Sequence, residues 1–331
     1  MTPDIIDLLG SNQVSGWNRV RGKQALSPTS PSSPKPARNG VLGAVVGLIF
    51  GVGLTLLLER LDHRVRRLEE VEAIFERPVV GAVPESRTLE DRPGTSGLSL
   101  VEAEAFRMLR ANLRYFNVDR DARSILVTSA APGDGKSTIS WNLASAGAAA
   151  GMRTLVVEAD LRHPSFGWAL GAADFPGLSS VLAGQVALEE AVRQVAVPDR
   201  RNGSGEGRFL EVLLSGPLPP NPTNLIESDR MRDLLRGAER EYDFIVVDTP
   251  PASVVPDAIP LVSQVGGVLV VSRLGRTTRG SMINLRDQLS NLAAPVLGVV
   301  VNAVGRDRSL SSRMRRFGRG FSGWPPWCWA R

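Results

Sequence analysis

Between Ala130 and Thr138 the chain reads Ala-Ala-Pro-Gly-Asp-Gly-Lys-Ser-Thr, with two glycines ahead of a Lys-Ser pair. Residues of these types at this spacing suit a polyphosphate. Gly133 and Gly135 permit a tight turn, Lys136 reaches the β- and γ-phosphate oxygens, and Ser137 offers a hydroxyl to Mg²⁺. The backbone N–H groups from Gly133 through Asp134 to Thr138 then cradle the anion at a positive helix end. One position departs from the G-x-x-x-x-G-K-[ST] pattern, Ala130 in place of the first Gly, and it is the one furthest from the phosphates. Lys136 stands out as the single lysine between residues 41 and 331. A compact ammonium fits between phosphates where the planar guanidinium has another shape.

Two carboxylate-bearing runs complete this chemistry. Thr154 to Asp160 and Phe244 to Asp248 are β-branched apolar stretches closed by Glu158 with Asp160, and by Asp248. Fully buried parallel strands have this composition. In an open α/β sheet, ligands sit beyond the carboxyl ends of the strands, which brings these three acids towards the loop. Mg²⁺ takes hard oxygens, typically one or two carboxylates with phosphates and water. A soft-ligand metal site is not expected, since the chain has one Cys and two distant histidines, His63 and His163.

The elements that must position these groups follow from the pattern around them. Ser124–Ser129 reads as a strand entering the loop, and Ile139 to Ala150 as the helix leaving it. Further apolar runs at 267–272 and 296–301 complete a mostly parallel, doubly wound α/β sheet of the P-loop NTPase class. This domain is expected over residues 101–305. Upstream, residues 39–58 carry no charge, long enough to cross a bilayer core of about 30 Å as one helix. A Pro-rich stretch (1–38) precedes it, expected outside the cytoplasm. A juxtamembrane helix with Leu61, Val65, Leu68, Val71 and Phe75 on one face follows, then a linker over 85–99. Basic residues flank the span almost equally, and it is the need for cytosolic ATP that places the C-terminal side inside.

Charge excludes the obvious misreading. The net +5 comes from residues 1–40 at +3 and residues 306–331 at +6, leaving 41–305 at −4. A duplex-binding body would carry the basic footprint itself, so no nucleic-acid partner is expected. The Arg- and Trp-containing tail, 306–331, suits either an anionic membrane face or a solvated end. Residues 199–207 read as an inserted loop.

The motifs SAAPGDGKSTISWNLA, LVVEADLRHP, LLSGPLPPNPTNLIES and YDFIVVDTPP, in this order behind a transmembrane span, resemble the cytoplasmic domain of bacterial tyrosine kinases of the polysaccharide co-polymerase type. The resemblance covers about residues 20 to 305. It implies ATP and Mg²⁺ as cofactors, with Lys136 and Ser137 in the Walker A loop and Asp160 and Asp248 organising the metal together with Ser137. It implies Glu158 as the proton acceptor, Asn302 against adenine, and Glu104, Arg107 and Arg110 as an E-x-x-R-x-x-R element between subunits of a homo-oligomeric ring. It further implies autophosphorylation on tyrosine coupled to capsular or extracellular polysaccharide synthesis and export machinery at the plasma membrane. Three departures stand against it. The second acidic motif opens with Glu158 where the family has Asp. The chain has two tyrosines, Tyr115 and Tyr242, neither in the tail. No first span or extracytoplasmic domain precedes residue 39, so the frame is either truncated or completed by another chain. The alternatives to a kinase are a partition-ATPase-like nucleotide switch and an inactive remnant.

Overall fold

The structure, a computed structural model, describes residues 36–90, 97–116, 122–172, 174–197, 208–253 and 258–305. The chain separates into two units, residues 1–62 and 63–331. In the first, Pro36–Leu61 is one α-helix. Its span Ala37–Leu61 has a mean hydropathy of 2.6 and is long and apolar enough to cross a membrane.

The second unit is built on one eight-stranded sheet: β1 (Val79–Pro84), β2 (Ser124–Ser129), β3 (Thr154–Glu158), β4 (Val192–Val197), β5 (Arg208–Leu213), β6 (Phe244–Asp248), β7 (Gly267–Arg273) and β8 (Val296–Val304). The order is β1-β8-β7-β2-β6-β3-β5-β4, parallel throughout except for the final β4–β5 pair. Every residue of β2, β3 and β6 is buried, because helices cover both faces. Alternate residues feed opposite cores. Leu126, Val157 and Val247 meet the side formed by helices Leu68–Phe75, Asp229–Glu241 and Arg279–Asn291. Ile125, Val156 and Val246 meet helices Leu100–Phe116 and Lys136–Ala149. The register sets Val127 and Glu158 on either side of Asp248, so the central strands end together at one edge.

Three expectations need correction. The juxtamembrane helix covers only Leu68–Phe75; Leu61 closes the apolar helix, and Val65 is buried in an extended segment. Its backbone pairs with a distant loop: Val65 N–H donates to Thr277 O and Val65 O accepts from Gly275 N–H, both at 2.9 Å. Those tertiary bonds outweigh the local helical pattern. The linker 85–99 contains a helical turn, Arg87–Glu90, whose Leu89 enters the core. The last strand does not stop with the apolar run at 301, since β8 takes in Asn302 and continues to Val304. Residues 1–35 of the Pro-rich stretch, the 199–207 insertion and the Arg- and Trp-containing tail lie outside the described residues, while residues 36–38 belong to the apolar helix.

A phosphate loop, its acidic strand ends and a braced arginine loop

The loop after β2 adopts the backbone that its glycines allow. Gly133 and Gly135 have φ of 78° and 95°, and Gly135 caps the helix that begins at Lys136. A Cβ on Gly133 would come within 2.7 Å of the Arg276 guanidinium, and one on Gly135 would collide with Asn302 Nδ2. Ala130 has no such demand. It is buried with an ordinary φ, and its carbonyl accepts from Ser253 Oγ at 2.5 Å, so alanine fills the first pattern position without strain.

Asp134 is the structural keystone of this loop. Its side chain is fully buried and accepts from Ala131 N–H at 3.0 Å and Thr277 Oγ1 at 2.8 Å, while its carbonyl accepts from Asn302 Nδ2 at 2.9 Å. Burial pushes the carboxyl up to about 6, against the pull of Thr277, Ala131 N–H, Lys136 and Arg276. Asn302 Oδ1 also accepts from Ala303 N–H at 2.8 Å. Both ends of that amide are thus engaged by backbone, and Asn302 holds the loop while lining the cavity beside it.

Asp248 faces the start of the helix. Ser140 Oγ donates to its Oδ1 at 2.9 Å, and its Oδ2 is buried with no hydrogen-bond partner. Burial drives its pKa up to about 7; Lys136 and the Ser137 and Ser140 hydroxyls pull it down, and Asp160 pushes it up. A buried carboxylate oxygen without a donor, beside a nearly buried lysine and a second carboxylate, is the environment a hard cation relieves. Among the described residues no three His, Cys, Asp or Glu converge, so a cation here needs phosphate oxygens to complete its shell. The residues therefore fit Mg²⁺ delivered with a nucleotide.

Glu158 stands beside Asp248 in register, yet its oxygens are taken by backbone. Oε1 accepts from Ser165 N–H at 2.5 Å and Phe166 N–H at 2.6 Å, and Oε2 from Ser215 N–H at 3.0 Å. Burial raises its pKa while those three donors lower it. Asp160, two residues on, is nearly buried and accepts from His163 N–H at 3.0 Å.

A cavity of about 290 Å³ opens beside the loop, against Gly133, Gly135 and Thr138 on one side and Ser86, Arg273 and Arg276 on the other. The Thr138 hydroxyl reaches Leu89 O at 3.5 Å across it. Sequence reasoning missed Arg273, Arg276 and Thr277, and the only signal is the Arg-Thr-Thr-Arg-Gly run after β7. The same run carries the juxtamembrane pairing, in which Arg279 N–H donates to His63 O at 2.9 Å.

Glu104, Arg107 and Arg110 are not brought to this site. They lie on the helix Leu100–Phe116, where Glu104 and Arg107 form an exposed i,i+3 ion pair at 2.5 Å and Arg110 reaches Met152 Sδ at 3.9 Å.

Comparison with known proteins agrees with this geometry. Residues 125–324 match the CobQ/CobB/MinD/ParA nucleotide binding domain family. The chain is 35% identical to tyrosine-protein kinase YwqD of Bacillus subtilis over 202 residues, covering 61% of this chain and 81% of that one. It is 30% identical to the putative tyrosine-protein kinase EpsB of Ralstonia solanacearum over 95% of this chain, and spans 42% of the length of EpsB. Among solved structures, the kinase domain of Escherichia coli tyrosine kinase ETK superposes with a TM-score of 0.63 at 28% identity, covering 73% of this chain and 96% of that domain. The chimerical protein CapA2B2 gives 0.62 at 32% identity over 72% and 100%. With the phosphate loop, the buried acidic strand ends and these relatives in hand, the chain belongs to the bacterial tyrosine-protein kinases of the CobQ/CobB/MinD/ParA nucleotide-binding family.

Proposed function

We propose that the chain is a membrane-anchored, ATP-dependent protein-tyrosine kinase of capsular or extracellular polysaccharide assembly, with its nucleotide-binding unit in the cytoplasm. The observation that carries the reading is the partnerless, buried Asp248 Oδ2 beside Lys136, a charge arrangement made for a metal–phosphate ligand.

Phosphoryl transfer needs little covalent help from protein, and positioning with charge neutralisation supplies most of the catalysis. The N–H groups of Gly133 to Thr138 and the Lys136 ammonium hold the phosphates. Ser137, Asp160 and Asp248 would hold Mg²⁺, which would supply positive charge against the charge that develops during transfer. Glu158, with three backbone donors on its two oxygens, is assigned the positioning of the segment that carries Asp160 and not proton transfer. The cavity beside Asn302 and Arg276 receives the rest of the nucleotide. Assembly into a ring through Glu104, Arg107 and Arg110, and contact with the polymerase or export machinery, follow from the family resemblance.

The test is incubation of the purified full chain in detergent with labelled ATP, Mg²⁺ and a Glu–Tyr copolymer. Phosphotyrosine on the polymer, lost in Lys136→Met, is expected. Release of phosphate with no phosphotyrosine would overturn the kinase reading in favour of a nucleotide switch.

A further inference from the structure

The chain has two tyrosines, and the structure buries one and leaves the other half-exposed. Tyr242 is 6% exposed at the end of the helix Asp229–Glu241, just before β6 and under the Arg153 guanidinium, and its hydroxyl donates to the Glu211 carboxylate. Burial and that carboxylate both hold its proton more tightly than in water. Phosphorylation there would require breaking the bond and unpacking a core residue. Tyr115 is 49% exposed, in the last turn of the helix Leu100–Phe116.

The position of that helix decides which active site can reach it. Asn112 Nδ2 donates to Val80 O at 2.9 Å, close to the beginning of β1. Arg110 meets Met152, beyond the far end of the helix that starts at Lys136. That helix has 14 residues, about 21 Å at 1.5 Å per residue. Tyr115 therefore lies at the amino-terminal edge of the parallel sheet, and the phosphate loop at the carboxyl-terminal edge. A phosphorus–oxygen bond forms only when the reacting atoms come within about 3–3.5 Å. The phosphate loop of the same chain is out of reach.

We propose that Tyr115 is this protein's own phosphate acceptor, modified in trans by the active site of a second copy. The inference rests on the kinase reading above. In the step, the bond between the γ-phosphorus and its bridging oxygen breaks, and a new bond forms to the Tyr115 phenolic oxygen. ADP leaves, and the phenolic proton passes through the donor copy's site to solvent.

The experiment uses full-length chains in detergent with labelled ATP and Mg²⁺, mapping phosphate by peptide mass spectrometry and assaying the Glu–Tyr copolymer in parallel. Wild type is expected to carry phosphate on Tyr115, and Tyr115→Phe to lose self-labelling while still phosphorylating the copolymer. A Lys136→Met chain with a distinguishing tag is silent alone and acquires phosphate at Tyr115 when mixed with Tyr115→Phe. Copolymer phosphorylation without label on Tyr115, or label mapped to Tyr242, overturns the inference and leaves the kinase reading intact. Label on Tyr115 that fails to pass to the Lys136→Met chain overturns the trans geometry. Absence of phosphotyrosine on both chain and copolymer removes the kinase reading and this inference together.

Discussion

Thr277→Val tests whether the loop after β7 braces the phosphate loop through Asp134. Valine keeps the shape of threonine and removes two interactions. One is the hydroxyl's charge-assisted donation to Asp134 Oδ1 at 2.8 Å, with Arg273 O at 3.0 Å as its alternative acceptor; the other is its acceptance from Arg273 N–H at 2.9 Å. The second is a neutral bond of about 1 kcal/mol, the same at any pH. The first is a bond of roughly 1.5–3 kcal/mol when Asp134 is ionised and about 1 kcal/mol when it is protonated. Asp134 has a folded-state pKa of about 6, above its ordinary 3.8, so its stabilising contribution is complete below 3.8 and lost as pH rises through about 6. Without Thr277 that pKa climbs further and the loss deepens. The deficit of Thr277→Val should therefore grow by roughly 0.5–2 kcal/mol between pH 5 and pH 8, or roughly 1–8 °C in Tm for a unit of this size. Thermal unfolding of the nucleotide-free full chain at both pH values reads this directly, and a cycle with Asp134→Asn isolates the pair. Equal deficits at the two pH values together with no coupling to Asp134→Asn would refute the brace.

Three more predictions follow from the same site. Asp248→Asn removes a buried, half-satisfied carboxylate whose pKa of about 7 lies above its ordinary 3.8, so the wild type carries a loss of stability as pH rises through about 7 that the variant lacks. The nucleotide-free variant should melt higher than wild type at pH 8, match it near pH 4, and gain nothing from MgATP in the same melt. Glu158→Ala strands the buried N–H groups of Ser165, Phe166 and Ser215, at about 1–3 kcal/mol each, and should lower stability by at least about 3 kcal/mol by denaturant titration. Glu158→Gln, which keeps one acceptor oxygen, should lose less. Gly135→Ala puts a Cβ into Asn302 Nδ2 at a φ of 95°, so ATP affinity by calorimetry should fall by at least about tenfold, the equivalent of about 1.4 kcal/mol. Part of that loss should return in Gly135→Ala/Asn302→Ala, where the clash is gone and the strain remains.

What the sequence made visible divides along a physical line. The strands that carry the site, β2, β3 and β6, are buried on both faces, and burial leaves a near-continuous apolar run in the sequence. Strands β1, β4 and β5 were not read. The first is an edge strand half-covered by a helix, and β4 keeps no residue fully buried, so neither writes a strong pattern. The same division runs through the site. Lys136, Ser137 and Asp248 are legible because their types and spacing follow a pattern suited to a phosphate and a hard cation. Thr277 and Asp134 are partners only because the topology brings them together across 143 residues, and nothing local to either announces the bond. At Glu158 the role that the residue type suggests and the role proposed above part company. A carboxylate at a strand end beside Asp248 is positioned for catalysis by its address alone. Its direction is set by where the N–H groups of residues 165, 166 and 215 lie. One methylene more than aspartate lengthens its reach towards all three, and on the reading proposed above the residue that departs from the family pattern serves as a brace. A shorter acid at that position would leave part of this donor set unpaired and would have to turn elsewhere, which makes Glu158→Asp the variant in which copolymer phosphorylation should rise while stability falls.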